Sequence, residues 1–135
     1  MPSGNVIRVR ETYHAYEHGQ LERIPELFAP EGFYRTSGVF VGMADEYRGH
    51  ARIEEFWHAS TEAWERLTIE VGRTAEYGDC VVAEAVFEGI GAESGLEVKF
   101  AAGHLVRFRH GLIVEFLAFA TWAQALEAAQ RPSAV

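Results

Sequence analysis

The chain has 135 residues, 48% of them apolar and 24% charged, an ordinary globular balance with room for one domain and one core, which excludes a disordered chain. Twenty acidic residues outweigh twelve basic ones for a net charge of -8, and no basic cluster interrupts the sequence, which argues against a nucleic-acid partner. No run reaches the roughly eighteen apolar residues of a membrane span, and the opening Met-Pro-Ser-Gly-Asn has neither the basic start nor the apolar centre of a signal peptide, so a cytoplasmic protein without membrane contact is expected.

Apolar residues recur at helical spacing from Val6 to about His18 (Val6, Val9, Tyr13, Tyr16), and Gly19 ends the helix. A second short helix is predicted over Leu21–Phe28, with Pro25 early enough to be tolerated and Ala29-Pro30-Glu31-Gly32 as the turn out of it. Phe33 to Val41 reads as an irregular strand or strand pair broken near Gly38, and Gly42 to Gly49 as a loop. A third helix follows over Ala51–Trp64, with Ile53, Phe56, Trp57, Ser60 and Trp64 on one side. After it the period changes to two: Leu67–Arg73, Cys80–Glu88, Leu96–Arg109 and Leu112–Ala120 are strands, separated by turns at Tyr77-Gly78-Asp79, Gly89–Gly95 and His110-Gly111. Thr121 followed by Gln124 is a capping-box signature that opens a terminal helix. Helices first and hairpin-linked strands afterwards predict one α+β domain over residues 1–135, its folded core about 6–129, with a curved antiparallel sheet against the N-terminal helices.

The strand Leu96–Arg109 carries the clearest signal. Leu96, Val98, Phe100, Ala102, His104, Val106 and Phe108 share one face, so His104 is the lone titratable group on an apolar surface. Two readings compete: a structural histidine tied to a Tyr, Thr or carbonyl, and a pocket base, acid or ligand anchor. A third possibility is a bulge at Ala102-Gly103 that changes the face. Glu115 on the next strand depends on register. A two-residue loop, His110-Gly111, pairs Arg109 with Leu112 and Val106 with Glu115, which puts the carboxylate on the His104 face; a three-residue loop turns it away. The two-residue loop is slightly preferred. On that reading Glu115 fixes the His104 tautomer and raises its proton affinity, or merely satisfies it as a buried pair.

Other constellations carry less. His14 and His18, and His50, Glu54 and His58, have helical metal-ligand spacing but fall largely on solvent sides, so no metal is expected. Cys80 is the single cysteine and reads as a buried, inert thiol. Neither a phosphate-cradling glycine loop nor a nucleophile elbow is present, and no cofactor is expected.

The local phrases identify a family. Helix one ending at Gly19, Glu26-Leu27-Phe28, Tyr47-Arg48-Gly49, Tyr77-Gly78-Asp79-Cys80-Val81-Val82, Val106-Arg107-Phe108-Arg109-His110-Gly111-Leu112-Ile113-Val114 and Thr121 to Leu126 together resemble a SnoaL-like domain of the ketosteroid isomerase and nuclear transport factor two superfamily, over about 6–129. The resemblance implies a cone with an apolar cavity open at one end and a homodimer formed through the sheet. It implies a lining of Tyr13 or Tyr16, Tyr34, Phe56, Trp57, Ala83, Ala85, Phe87, His104, Val106 and Phe116. These motifs identify fold well and activity badly. Where ketosteroid isomerases place a tyrosine, an aspartate base and an oxyanion-binding acid, this chain resembles them with Thr12 beside Tyr13, Thr36 and His104. The carboxylate base is missing, and a threonine hydroxyl is far too weak a base to replace it. Polyketide cyclases of the family use a histidine and an aspartate, for which His104 and Glu115 are the counterparts. Epoxide hydrolases need an Asp-Arg-Asp set, whereas the only aspartates are Asp45 and Asp79.

Three functions follow for the pocket. One is a cofactor-independent isomerase, cyclase or lyase acting on a carbonyl substrate, with His104 as base or acid, Glu115 orienting it, and Tyr34 or Tyr16 donating to a developing oxyanion. Another is a non-catalytic binder of a small apolar or aromatic ligand, or an accessory subunit. The last is a structural dimer with a collapsed pocket. Tyr13, Tyr16, Phe56, Trp57, Phe87, Val106 and Phe116 are the expected ligand contacts in the first two.

Overall fold

A computed structural model describes residues 3–36 and 45–131. The elements are α1 (Gly4–Glu17), α2 (Arg23–Glu26), β1 (Phe28–Arg35), β2 (Glu46–Arg48), α3 (His50–Thr61), β3 (Trp64–Tyr77), β4 (Cys80–Gly91), β5 (Glu97–Arg109), β6 (Leu112–Phe119) and α4 (Trp122–Gln130). The six strands form one sheet in the order β2-β1-β6-β5-β4-β3, antiparallel except where β1 lies parallel to β6. Its inner face wraps around α1, α2 and α3, giving the cone-like α+β fold, and no described helix is long and apolar enough to cross a membrane.

Local chemistry explains the helix ends. Ser3 caps α1 by accepting from the Val6 amide at 3.1 Å, and Gly19 at φ 71° provides the left-handed turn that ends it. Val6, Val9, Tyr13 and Tyr16 all face the core, as their spacing predicts. At the other end of the chain Thr121 accepts from the Gln124 amide, and the Gln124 side chain accepts from Ala120, so the capping box forms with its return bond shifted by one residue.

The second helix is much shorter than the predicted Leu21–Phe28. Phe28 instead opens β1, because the Leu27 carbonyl accepts from Ile113 and Phe28 lies opposite Ile113 on β6. The expected turn at Ala29–Gly32 is therefore part of a strand, with its register shift between Phe28 and Phe33. Gly32 makes this possible, since a Cβ there would sit 2.7 Å from the Ile113 carbonyl oxygen. The far half of the predicted Phe33–Val41 strand, with its break near Gly38, lies outside the described residues. The expected Gly42–Gly49 loop contains β2. Trp64 does not end the third helix but begins β3, a strand twice as long as Leu67–Arg73 and exposed along much of its length.

The other sheet face carries Cys80, Val82 and Leu105, all buried, with α4 packed across β4, β5 and β6. Gly103, suspected of hiding a bulge, does not: β4 and β5 pair without interruption from Cys80–Arg107 to Ile90–Glu97. It is glycine because α4 needs the space. A Cβ at Gly103 would lie 2.3 Å from the Thr121 carbonyl oxygen and 3.0 Å from Ala125 Cβ. Gly103→Ala should therefore push α4 off the sheet and cost ~1–3 kcal/mol, read as a lower urea midpoint, whereas an unchanged midpoint would show that α4 docks without this close approach.

Candidate functional site

His110 and Gly111 both adopt left-handed backbone, with φ 52° and 78°, the geometry of a two-residue hairpin turn matched to strand twist. Arg109 accordingly lies opposite Leu112, and Phe108 opposite Ile113. One step further the preferred register fails. Arg107, not Val106, lies opposite Glu115, because β6 carries one extra residue, Val114, at a β-bulge. The bulge inverts the side of everything after it, so Glu115 faces away from His104. Its Oε2 accepts from Arg107 Nε at 3.0 Å on the outer surface. The His104–Glu115 pair expected from the sequence does not form.

His104 itself stands on the inner face as predicted, 3% exposed, with Ala83 and Ala118 as its neighbours across the sheet. Its partner is the Tyr13 hydroxyl, 2.5 Å from Nδ1, brought down from α1. The tautomer decides which of the two atoms donates, but either way the pair is satisfied. Burial without a nearby carboxylate lowers the imidazole pKa from 6.5 to about 3. Burial also raises Tyr13 well above the ordinary phenol range, with Tyr34 adding to it, and raises Tyr34 in the same way. Tyr16 is raised by burial, tempered by hydrogen bonding from the Ser60 hydroxyl and the Trp64 indole; its oxygen is 2.6 Å from Ser60 Oγ.

These groups surround a cavity of about 20 Å³, space for about one water, lined by Tyr13, Tyr16, Tyr34, Trp57, Ser60, Trp64, Ile69, Phe87 and His104. Phe56, Val106 and Phe116, expected to touch ligand, stand behind this lining. Phe56 and Phe116 stack on Tyr34 at 4.3 and 5.1 Å between ring centroids and hold it in place, while Val106 is wholly buried beside Phe116 in the strand pairing. Sequence reasoning did not name Trp64 or Ile69 as lining: Trp64 was expected on the inward side of the third helix, and Ile69 lay in the predicted Leu67–Arg73 strand with its face unread. Ser60 was legible as an inward residue, but its hydroxyl on an apolar stripe was not followed.

Of the polar atoms around the cavity, one is orphaned. Among the described residues the buried Trp57 Nε1–H has no protein acceptor, and a buried donor left wholly unpaired costs ~1–3 kcal/mol. Its ring is held edge-on by Tyr16 at 4.8 Å, Phe56 at 5.0 Å and Tyr34 at 5.3 Å, so the indole is not free to swing toward another acceptor. No carboxylate lines the cavity, so all its polar groups are neutral at physiological pH: phenols, a hydroxyl, indoles and an uncharged imidazole.

The remaining candidates lie elsewhere. His50 bonds the Phe28 carbonyl oxygen at 2.8 Å, His14 and His18 stack on each other at 4.1 Å, and among the described residues no three potential metal ligands cluster. Cys80 is buried on the outer face, where burial pushes its thiol pKa up and the Arg107 guanidinium partly offsets this.

Two measurements check these electrostatics. The unfolded imidazole binds its proton near pH 6.5 and the folded one only near 3, so stability falls as pH drops through that interval, by up to ~1.4 kcal/mol per unit. The stability advantage of wild type over His104→Gln should shrink steadily on acidification from pH 7 toward pH 4 in urea titrations; a constant difference would refute a neutral buried imidazole. Glu115→Gln should cost under ~1 kcal/mol and leave the His104 ring resonances unmoved in a pH-dependent NMR spectrum.

The family model described as a SnoaL-like domain matches residues 9–116. No curated protein matches the chain. Among solved structures, an NTF2-like protein of unknown function from Burkholderia pseudomallei superposes with a TM-score of 0.78 at 19% identity, covering 96% of this chain and 100% of its own. TerC, co-crystallised with polyporic acid, gives 0.76 at 19% identity with the same coverage of 96% and 100%. A putative SnoaL-like polyketide cyclase from Jannaschia sp. CCS1 gives 0.75 at 18% identity, covering 96% of this chain and 94% of its own. Identities this low speak to fold alone, which is that of NTF2-like and ketosteroid isomerase-like structures, but the family match spans most of the chain: it belongs to the SnoaL-like domain family.

Proposed function

We propose that the protein binds a small, uncharged, mostly apolar molecule that carries a hydrogen-bond acceptor, such as a ketone, inside the cavity between α1, α3 and the sheet. The observation that carries this reading is the unpaired Trp57 indole N–H in a lining that holds no charge. A buried donor without an acceptor is stabilised by any ligand that supplies one, and the surrounding rings reward a flat apolar body. A charged ligand gains nothing there, because no opposite charge offsets its desolvation. The TerC structure with polyporic acid is a case of the same fold with a small organic molecule.

Isomerase, cyclase or lyase chemistry on a carbonyl compound is the rival reading, and it needs a base or acid matched to neutral pH. The imidazole, held near a pKa of 3, takes up protons poorly, and Tyr13 and Tyr34 release theirs reluctantly. With Glu115 turned outward no carboxylate remedies this. These facts support binding over turnover. The cavity as it stands holds about one water, so a ligand the size of a bicyclic ketone displaces lining side chains as it binds.

The test is a matched pair of probes, 1-indanone and the hydrocarbon indane, followed by thermal shift and calorimetry. Wild type should prefer the ketone, and Trp57→Phe should reduce ketone affinity by about fivefold, the worth of one neutral hydrogen bond, with indane nearly unaffected. Equal losses for both probes, or none for either, would sink the Trp57 donor. Retention of affinity in His104→Gln would fit a histidine whose hydrogen bond is spent on Tyr13.

A further inference from the structure

We propose that Trp64 is the door to the buried cavity, opening onto the surface cleft between the C-terminal ends of α1 and α3 and the start of β3, and so selects what reaches the site. This rests on reading the cavity as a ligand site. The cleft has a volume of about 330 Å³ and is walled by Tyr16, Glu17, Gly19, Thr61, Trp64, Glu65, Arg66 and Leu67. It shares two residues with the cavity, Tyr16 and Trp64. One layer of side chain thus separates an enclosed space from an open one more than ten times its volume.

The two shared residues are not equally movable. Tyr16 is 5% exposed, lies in the last turn of α1, and is tied to Ser60 and packed against Trp57. Trp64 is only half-buried and begins a strand after a two-residue link from α3. Its ladder is broken immediately afterwards, since Trp64 lies opposite Gly91 and Arg66 opposite Ile90, leaving Glu65 as an extra residue. The ring lies over Gly89, where a Cβ would come within 3.0 Å of its Cε3, and roughly parallel to Phe100 at 6.2 Å. The indole rests on Gly89 and the widely spaced ring of Phe100, and one hydrogen bond, to the Tyr16 hydroxyl, ties it to the other wall. Partial exposure and an irregular backbone are the marks of a part that opens at low free-energy cost.

The way in can be read without any ligand. In Ser60→Cys the new thiol lines the cavity, while native Cys80, buried on the opposite sheet face, reports opening of the whole fold. Labelling by the small neutral reagent methyl methanethiosulfonate, followed by peptide mass spectrometry, gives a rate for each thiol. Adding Trp64→Ala should speed modification at position 60 by about tenfold or more and leave Cys80 unchanged; Trp122→Ala, on the outer side, should change neither rate at position 60 nor the order of the two. No acceleration with Trp64→Ala overturns the proposal, because the reagent then arrives elsewhere. If that variant loosens the fold and both thiols react, Trp64→Phe decides: a smaller gain confined to position 60 upholds the door, and none overturns it. Because indanone affinity plays no part in this readout, the door and the Trp57 donor stand or fall separately.

Discussion

Val114 is one residue too many for the hairpin that contains it, and the electrostatics of the inner face follow from that surplus. In a regular ladder side chains alternate strictly, so Glu115 would stand diagonal to His104 within the core. The bulge moves it to the outside, opposite Arg107. A carboxylate within a few ångströms would hold the imidazole charged and poised for proton transfer. Without it, desolvation acts alone and the imidazole is neutral. The outward pair gives up little in return: Arg107 and Glu115 are both partly exposed, worth under about 1 kcal/mol together, whereas a buried ion pair has to offset the desolvation of two charges.

The neutral lining that results is nearly self-satisfied. Tyr13 and His104 complete one another, as do Tyr16 and Ser60. Phe56 and Phe116 both stack on Tyr34 and fix the position of its ring. These two pairs are stiff because each joins different elements: α1 to β5 in the first, α1 to α3 in the second. A ligand has little reason to disrupt either pair, and Trp57 is the place where it finds an unmet need.

How much of this was legible in the sequence depended on whether the controlling physics was local. The inward face of α1, the His110-Gly111 turn, the capping box at Thr121 and the alternation that isolates His104 all follow from period and turn chemistry within a few residues, and each is present. The bulge at Val114 is different. It lies where β1, itself irregular between Phe28 and Phe33, packs along β6 in parallel, and a contact between segments some eighty residues apart leaves no mark on the hairpin's own sequence. The same partnership drew Phe28 out of the predicted second helix. β3 was half missed because an edge strand with large exposure on both faces has no clear alternation to read. Trp64 suffered twice, fitting the apolar stripe of the third helix by spacing while the chain had already turned into the strand.

Closure and satisfaction work against each other at the heart of the fold. In the proposed closed state, aromatic packing is retained and about one water's worth of space remains, but the Trp57 N–H has no acceptor among the described protein groups. With the door open, the Trp64 ring gives up its hydrogen bond to Tyr16 and its contacts with Phe100 and the surface over Gly89, and bulk water can reach the cavity. Neither state satisfies both demands. A neutral, flat molecule with one acceptor does, since it supplies the missing hydrogen bond and replaces the lost apolar contact at once. On the proposed reading, selectivity for charge and for shape has separate origins, one in the parity set by Val114 and the other in the ring that begins β3.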